Sequence, residues 1–157
     1  MNSSSAFIIR QAVPADQAAV EACIEASFSK WIPSMGMKPM ALLADYEAMI
    51  GRQVTYVIES GTTTAGVLIL WPEQDSMYID TIAVNPAFQK QGIGARLMNY
   101  AEERARSAGL NAMTLITNVK MEANIASYQP WGYRETKRRE VTPGRVAVFM
   151  RKSLQAE

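Results

Sequence analysis

Residues 77–109 constrain this chain more than any other stretch. They run Met77-Tyr78-Ile79-Asp80-Thr81-Ile82-Ala83-Val84, then Asn85-Pro86, then a glycine-bearing segment from Gln89 to Ala95, then a helical pattern ending at Gly109. A β-branched and aromatic run closed by Asn-Pro predicts a strand. Beyond it, Ile93, Leu97, Ala101, Ala105 and Ala108 fall on one stripe, flanked by Met98 and Tyr100. Arg96, Glu102, Glu103, Arg104 and Arg106 cover the other side, as an amphipathic helix requires. Glu102 and Arg106 stand at the favourable i,i+4 spacing. Gly109 is placed for a C-cap and Leu110 for its hydrophobic contact. The small residues of the stripe let such a helix lie close on a sheet.

A strand that enters a helix through glycines is a ready anion site. The first N–H groups of the helix have no partner within it, and the helix dipole favours negative charge there. Glycine removes the Cβ that would keep a phosphate from the backbone. The spacing Gln89-Lys90-Gln91-Gly92-Ile93-Gly94-Ala95 is weak evidence by itself; its place after a strand and at a helix start gives it weight. It is not a P-loop, since no Gly-Lys-Ser/Thr follows. It is not the dinucleotide fingerprint, which needs a third glycine and the first strand of the chain.

Composition narrows the chemistry. The 157 residues predict one domain spanning 1–157, with 1–5 and 153–157 as flexible tails. A net charge of +1 argues against a nucleic-acid partner. No apolar run approaches a membrane span, and the first residues lack a signal-peptide pattern, so a cytoplasmic protein is expected. The one cysteine, Cys23, permits no internal disulfide and reads as a buried core thiol. There is no histidine, which removes Ser-His and Cys-His catalysis and the commonest zinc ligand. A general base must then be a carboxylate, Lys, Tyr or water.

The rest of the chain reads in order. Phe7–Gln11 is a short strand. Pro14 opens a helix to about Ser27, with Val20, Cys23, Ile24 and Phe28 inward. Residues 29–38 read as irregular. Pro39 starts a second helix, with Leu42, Leu43, Tyr46, Met49 and Ile50 on its stripe and Gly51 at its end. Val54–Glu59 and Gly66–Leu70 form a hairpin, and 72–76 a loop. Ala112–Thr117 is a buried strand, and Asn124–Tyr128 a short helix that stops before Pro130. Residues 133–141 and 145–151 form a last hairpin about Thr142-Pro143-Gly144.

The resulting order, β-α-α-β-β-β-α-β-α-β-β, resembles the GNAT superfamily of acyl-CoA-dependent N-acetyltransferases. Three stretches carry the likeness: Ile79 to Pro86, Gln89 to Ala95, and Asn124 through Tyr128 to Gly132-Tyr133. The element order covers nearly the whole chain. The resemblance implies an α/β (mixed α+β) GNAT fold. Its central, mostly antiparallel twisted sheet of about seven strands would splay between strands 4 and 5, with about four helices around it. It further implies acetyl-CoA as co-substrate and a small-molecule or peptide amine as acceptor, and it allows a homodimer. The backbone of Ile82, Ala83 and Val84 would pair with the pantetheine arm. The amides of Gln89, Lys90, Gln91, Gly92, Ile93, Gly94 and Ala95 would hold the pyrophosphate. Tyr128 would protonate the leaving thiolate, and Asn124 would face the cofactor arm. The chain departs at Met121, where many members carry an asparagine seven residues before that tyrosine.

Amide formation from a thioester needs a neutral amine, a polarised carbonyl and a protonated leaving sulfur. No metal is required. A backbone N–H near Ala83 or Val84 would polarise the carbonyl. Asp80, on a mostly apolar strand, is the candidate base; it reads equally as a hydrogen-bonded strand residue. Glu47 and Glu122 rank below it. Tyr128 has a packing alternative and Asn124 a capping one. Trp31, Met35 and Met37 read as acceptor-pocket lining or as loop packing. Lys137, Arg138 and Arg139 read as a solvated strand face, or as a site for an acidic acceptor or the cofactor's 3′-phosphate. A non-catalytic domain that binds CoA or acyl-CoA for regulation would need the glycine loop but neither Asp80 nor Tyr128.

Overall fold

The computed structural model describes residues 7–155. Seven strands and five α-helices alternate as β1 (Phe7–Gln11), α1 (Gln17–Phe28), α2 (Ile32–Met35), α3 (Tyr46–Gly51), β2 (Thr55–Ser60), β3 (Thr63–Glu73), β4 (Ser76–Val84), α4 (Ile93–Ser107), β5 (Ala112–Asn118), α5 (Glu122–Tyr128), β6 (Arg134–Thr142) and β7 (Arg145–Ser153). They build one sheet in the order β1-β2-β3-β4-β5-β7-β6. Every neighbouring pair is antiparallel except β4 with β5. Parallel neighbours need a long crossover, and α4 supplies it. This is the GNAT architecture implied by the sequence resemblance.

Helices cover both faces of the sheet. Ile93, Leu97, Ala101 and Ala105 of α4 join Leu68, Ile79 and Met113 in the larger core. Val20, Cys23 and Ile24 of α1, with Tyr46 and Ile50 of α3, join Val57, Val67 and Ile69 in the smaller one. Alanines at 101 and 105 bring α4 close to the strands, as its stripe predicts. The helix ends as expected: Gly109 is left-handed (φ 74°), and Leu110 N–H donates to Ala105 C=O at 2.9 Å. Glu102 departs from the expected solvent side. It is buried, and Lys152 Nζ donates to both its carboxylate oxygens at 3.1 and 3.0 Å.

Two irregularities in β4 shape the centre of the sheet. Opposite β3, Ile69 faces Thr81 and Leu70 faces Ile79, so Asp80 is the extra residue of a β-bulge. Opposite β5, pairing runs only from Ser76–Ala112 to Ile79–Leu115. Beyond that rung β4 keeps β3 and β5 keeps β7, but the two strands part. The expected splay therefore opens at the bulge.

Several local expectations differ from the structure. Residues 29–38 are largely helical, with a 3-10 turn at Ser29–Trp31 followed by α2, which ends on left-handed Gly36. The second helix does not run from Pro39. A 3-10 turn at Met40–Leu43 breaks at extended Ala44, and Asp45 restarts the chain as α3 by accepting from Ala48 N–H at 3.1 Å. Leu43 is left exposed. Pro72 lies inside β3 rather than in a loop, and the turn tightens to Gln74-Asp75, with Gln74 at φ 56°. Pro130 sits within a 3-10 turn that extends α5. Ser153 closes β7, and Leu154 N–H donates to Asn111 C=O at 2.7 Å; residues 1–5 and 156–157 of the expected tails lie outside the described residues. Among the described residues no helix is long and apolar enough to cross a membrane.

Candidate active site

Two neighbouring cavities lie at the splay. One, of about 410 Å³, is lined by Val84, Lys90, Gly92, Gly94 and Ser127, with Trp131 at its side. The other, of about 450 Å³, is lined by Asp80, Thr81, Ile116, Met35, Val141 and Phe149, among others. Phe28, Ile82, Asn124 and Tyr128 line both and form the partition between them.

The first cavity ends on the glycine loop. Lys90 (φ 65°) and Gly92 (φ 77°) are both left-handed, which turns successive backbone amides toward the start of α4. Arg96 N–H is the first to close a helical bond, to Gly92 C=O at 3.0 Å, so the amides of Ile93, Gly94 and Ala95 precede the ladder. A Cβ on Gly94 would meet Trp131 at 3.7 Å and Val84 at 3.8 Å, and it would stand on the cavity wall. Helix-start amides set out in this way suit an anion. Gln89 and Lys90 line the cavity too.

The free edge of β4 faces the same cavity. Asn85 N–H donates to Ala65 C=O on β3 at 2.8 Å, whereas Val84 N–H turns away and donates to Ser27 Oγ at 3.3 Å. Alternation along the strand then points the backbone of Ile82 and Val84 into the gap and that of Ala83 toward β3. Ser27 had no signal in the sequence beyond closing a helix. Only the fold brings it to β4, 57 residues on.

Tyr128 stands at the junction. Its ring packs 5.9 Å from that of Tyr133 and 6.2 Å from that of Trp131. Burial pushes its phenol up to about 12, and a hydrogen bond from Asn124 restrains the rise. The Asn124 amide also donates to Thr117 Oγ1 at 3.2 Å, tying α5 to the diverging end of β5. Met121, at the position of the family asparagine, is buried on the second cavity, and Thr117 Oγ1 lies 3.8 Å from its sulfur.

Asp80 projects from the bulge into the second cavity. Burial raises its carboxyl above the ordinary range, while a 3.0 Å hydrogen bond from Thr81 Oγ1 and the charge of Arg52 hold it down. Tyr46 and Tyr78 feel its charge, and both phenols are pushed up, chiefly by burial. The rest of that cavity's lining is mostly apolar.

The other sequence candidates separate. Met35 is buried on the second cavity, Trp31 lines the first, and Met37 packs toward the turn at Gly144. Glu47 and Glu122 line neither. Arg138 pairs with Glu135 at 2.6 Å, and Lys137 and Arg139 lie over the Phe149 ring at 4.7 and 5.3 Å. Arg139 also lines the second cavity, as does Arg145, which the sequence did not single out.

Comparison with known proteins bears on the family and the fold. Residues 20–133 match the model of the acetyltransferase (GNAT) family. Over 93 residues the chain is 24% identical to a probable N-acetyltransferase 14 of Xenopus tropicalis, covering 58% of this chain and 45% of that one. Over 96 residues it is 28% identical to an IAA acetyltransferase of Azospirillum brasilense, covering 59% and 63%. The chain thus spans less than two thirds of the length of these curated relatives. Its fold superposes with TM-score 0.75 on a PaiA N-acetyltransferase from Thermoplasma acidophilum in complex with coenzyme A, at 14% identity over 94% of this chain and 98% of that one.

Proposed function

The chain belongs to the acetyltransferase (GNAT) family, and we propose that it transfers an acetyl group from acetyl-CoA to the primary amine of a small molecule or peptide, by direct attack in a ternary complex. The observation that carries this is the shared partition. A cavity that ends on the glycine loop and a separate, acid-bearing cavity meet at Phe28, Ile82, Asn124 and Tyr128. A domain that only sensed CoA would have no use for the second cavity or for a carboxylate raised by burial within it.

Acetyl-CoA would supply an acyl thioester activated for attack. The amides around Gly92 and Gly94 would hold its diphosphate, and the gap-facing backbone of Ile82 and Val84 would align its arm as an added strand. On that edge the Val84 N–H is held by Ser27 Oγ, so the Ile82 N–H would polarise the carbonyl. Asp80 would take a proton from the incoming ammonium, directly or through water, so that a neutral amine attacks. Tyr128, with a phenol near 12, stays protonated through the neutral range and would donate to the departing sulfur. Its raised value disfavours a lasting tyrosinate. The phenol would therefore pass a proton along, accepting from the new amide nitrogen as it gives one up. A covalent relay through sulfur is disfavoured, because burial pushes the Cys23 thiol up to about 11 and it packs in the α1 core.

The test is titration calorimetry of acetyl-CoA, CoA and ATP, followed by a thiol-release assay across an amine panel. Micromolar binding of both CoA species in preference to ATP, with amine-dependent thiol release, is expected. Absence of CoA binding would overturn the reading.

A further inference from the structure

The second cavity is electrostatically lopsided. Its acid, Asp80, comes from β4, while its basic residues, Arg139 and Arg145, come from β6 and β7. The rest of the lining is mostly apolar, with Met35, Leu43, Met49, Val141 and Phe149, beside the polar Thr117 and Asn118 of β5.

Arg145 is only half used by the protein. Its Nη2 donates to Lys38 C=O at 2.9 Å, which fixes the guanidinium against the loop after α2. Its Nη1 is buried and has no hydrogen-bond partner. Buried donors without partners are rare in folded proteins, and a charged one is costly. Arg139 lies across Phe149, and no carboxylate pairs with it among the described residues. The acids nearest in sequence are committed elsewhere: Glu135 to Arg138, and Glu140 to the N–H of Gly144 at 3.2 Å. Two guanidinium groups on one mostly apolar cavity, Arg139 exposed at its rim strand and Arg145 anchored and short of an acceptor, suit a planar anion taken by the arginine fork.

We propose that the amine acceptor of this enzyme carries a carboxylate at the end of an apolar body, and that Arg145, assisted by Arg139, binds that carboxylate. This deepens the acetyltransferase reading and rests on it. Asp80 follows the Ile79–Leu115 rung and so comes level with Phe149 of β7, four residues from Arg145, with β5 between the two strands; their backbones are therefore separated by two interstrand spacings across the sheet, about 10 Å, and by about 13 Å along the strand, before the splay widens the gap. The carboxylate accordingly lies several bonds from the amine, as in an ω-amino acid or a short peptide, rather than on the adjacent carbon.

Matched acceptors test this: 6-aminohexanoate, 6-aminohexanamide and hexylamine, with acetyl-CoA and the full chain. The carboxylate should be preferred at least tenfold in kcat/KM over the amide. Arg145→Met should bring that ratio near one, Arg139→Met should reduce it, and Arg145→Lys, which keeps the charge without the fork, should restore part of it. Acetyl-CoA titration of each variant checks that the fold and the other cavity are intact. Equal use of the amide, or a preference that survives Arg145→Met, would overturn the proposal. A second arm needs no turnover. Hexanoate, but not hexanamide, should bind the protein in the presence of CoA, and Arg145→Met should abolish it. Failure of hexanoate to bind would also overturn the proposal. Hexanoate binding with no amine acetylated would keep the carboxylate site and sink the transferase reading instead.

Discussion

Ile79 of β4 and Leu115 of β5 form the last rung of the parallel pair, and the residue after Ile79 is the bulged Asp80. The bulge thus sets a carboxylate where the strands part. Burial there raises the Asp80 carboxyl, against the Thr81 hydroxyl and Arg52. A base must be deprotonated, so kcat/KM should rise with pH through this raised value, at higher pH than for an ordinary carboxylate. Asp80→Asn should remove that acidic limb and lower kcat about 100-fold or more. An unchanged limb would mean another group is the base. The stability effect has the opposite sense. The folded state holds this proton longer than the unfolded chain, so stability falls as pH rises from the unfolded value of about 4 through the folded one. Asp80→Asn should therefore melt above the parent at pH 7 and lose that advantage under acid conditions.

Tyr128→Phe keeps the ring that packs on Tyr133 and Trp131 and removes only the hydroxyl. Turnover should fall by about 100-fold or more, the range for loss of a positioned acid. The acetyl-CoA dissociation constant should change little. Equal losses in both would make Tyr128 a binding residue.

The stretch that dominated the sequence is also the one the fold uses most directly. From Met77 to Leu110 the periodicity switches from two to 3.6 through glycines, and every device in it is local: strand, loop, helix, cap. Local chemistry is legible in order along a chain. The bulge at Asp80 was not legible, because it depends on the register of β3 against β4, with Leu70 opposite Ile79. Residues 29–51 misled for a different reason. Their apolar spacing mixes short helical turns that Gly36 and Asp45 interrupt, and tertiary packing decides where each restarts. Ser27, Arg145 and Lys152 each act on a partner far off in sequence (Val84, Lys38 and Glu102), and no single-chain pattern announces such a pair.

Gly94 distinguishes space for the fold from space for a ligand. A methyl there makes only ordinary contacts, 3.7 Å to Trp131 and 3.8 Å to Val84. Gly94→Ala should therefore fold with an undiminished Tm. The same methyl stands on the wall of the proposed diphosphate site, so acetyl-CoA affinity should drop about tenfold, or about 1.4 kcal/mol. Gly94→Glu adds like charge and should abolish binding. Retained affinity in both variants, measured by calorimetry, would move the cofactor off this loop.

Gly66 makes the reverse case. A Cβ at this position in β3 would lie 2.9 Å from Ala83 C=O, 3.0 Å from Ile58 Cγ2 and 3.0 Å from Ile93 Cγ2. The backbone oxygen belongs to β4, and Ile93 is the first residue of α4, so a methyl would press the strand and helix on either side of the glycine loop apart. Overpacking of this kind costs about 1–3 kcal/mol. Gly66→Ala should lower Tm even though Gly66 lines neither cavity. Its effect on acetyl-CoA affinity separates two accounts of the loop. If the loop is held rigidly by packing against β3, affinity should fall together with Tm. Affinity preserved in a folded but less stable Gly66→Ala would show that the loop keeps its shape through its own left-handed residues, Lys90 and Gly92, without support from the sheet beneath it.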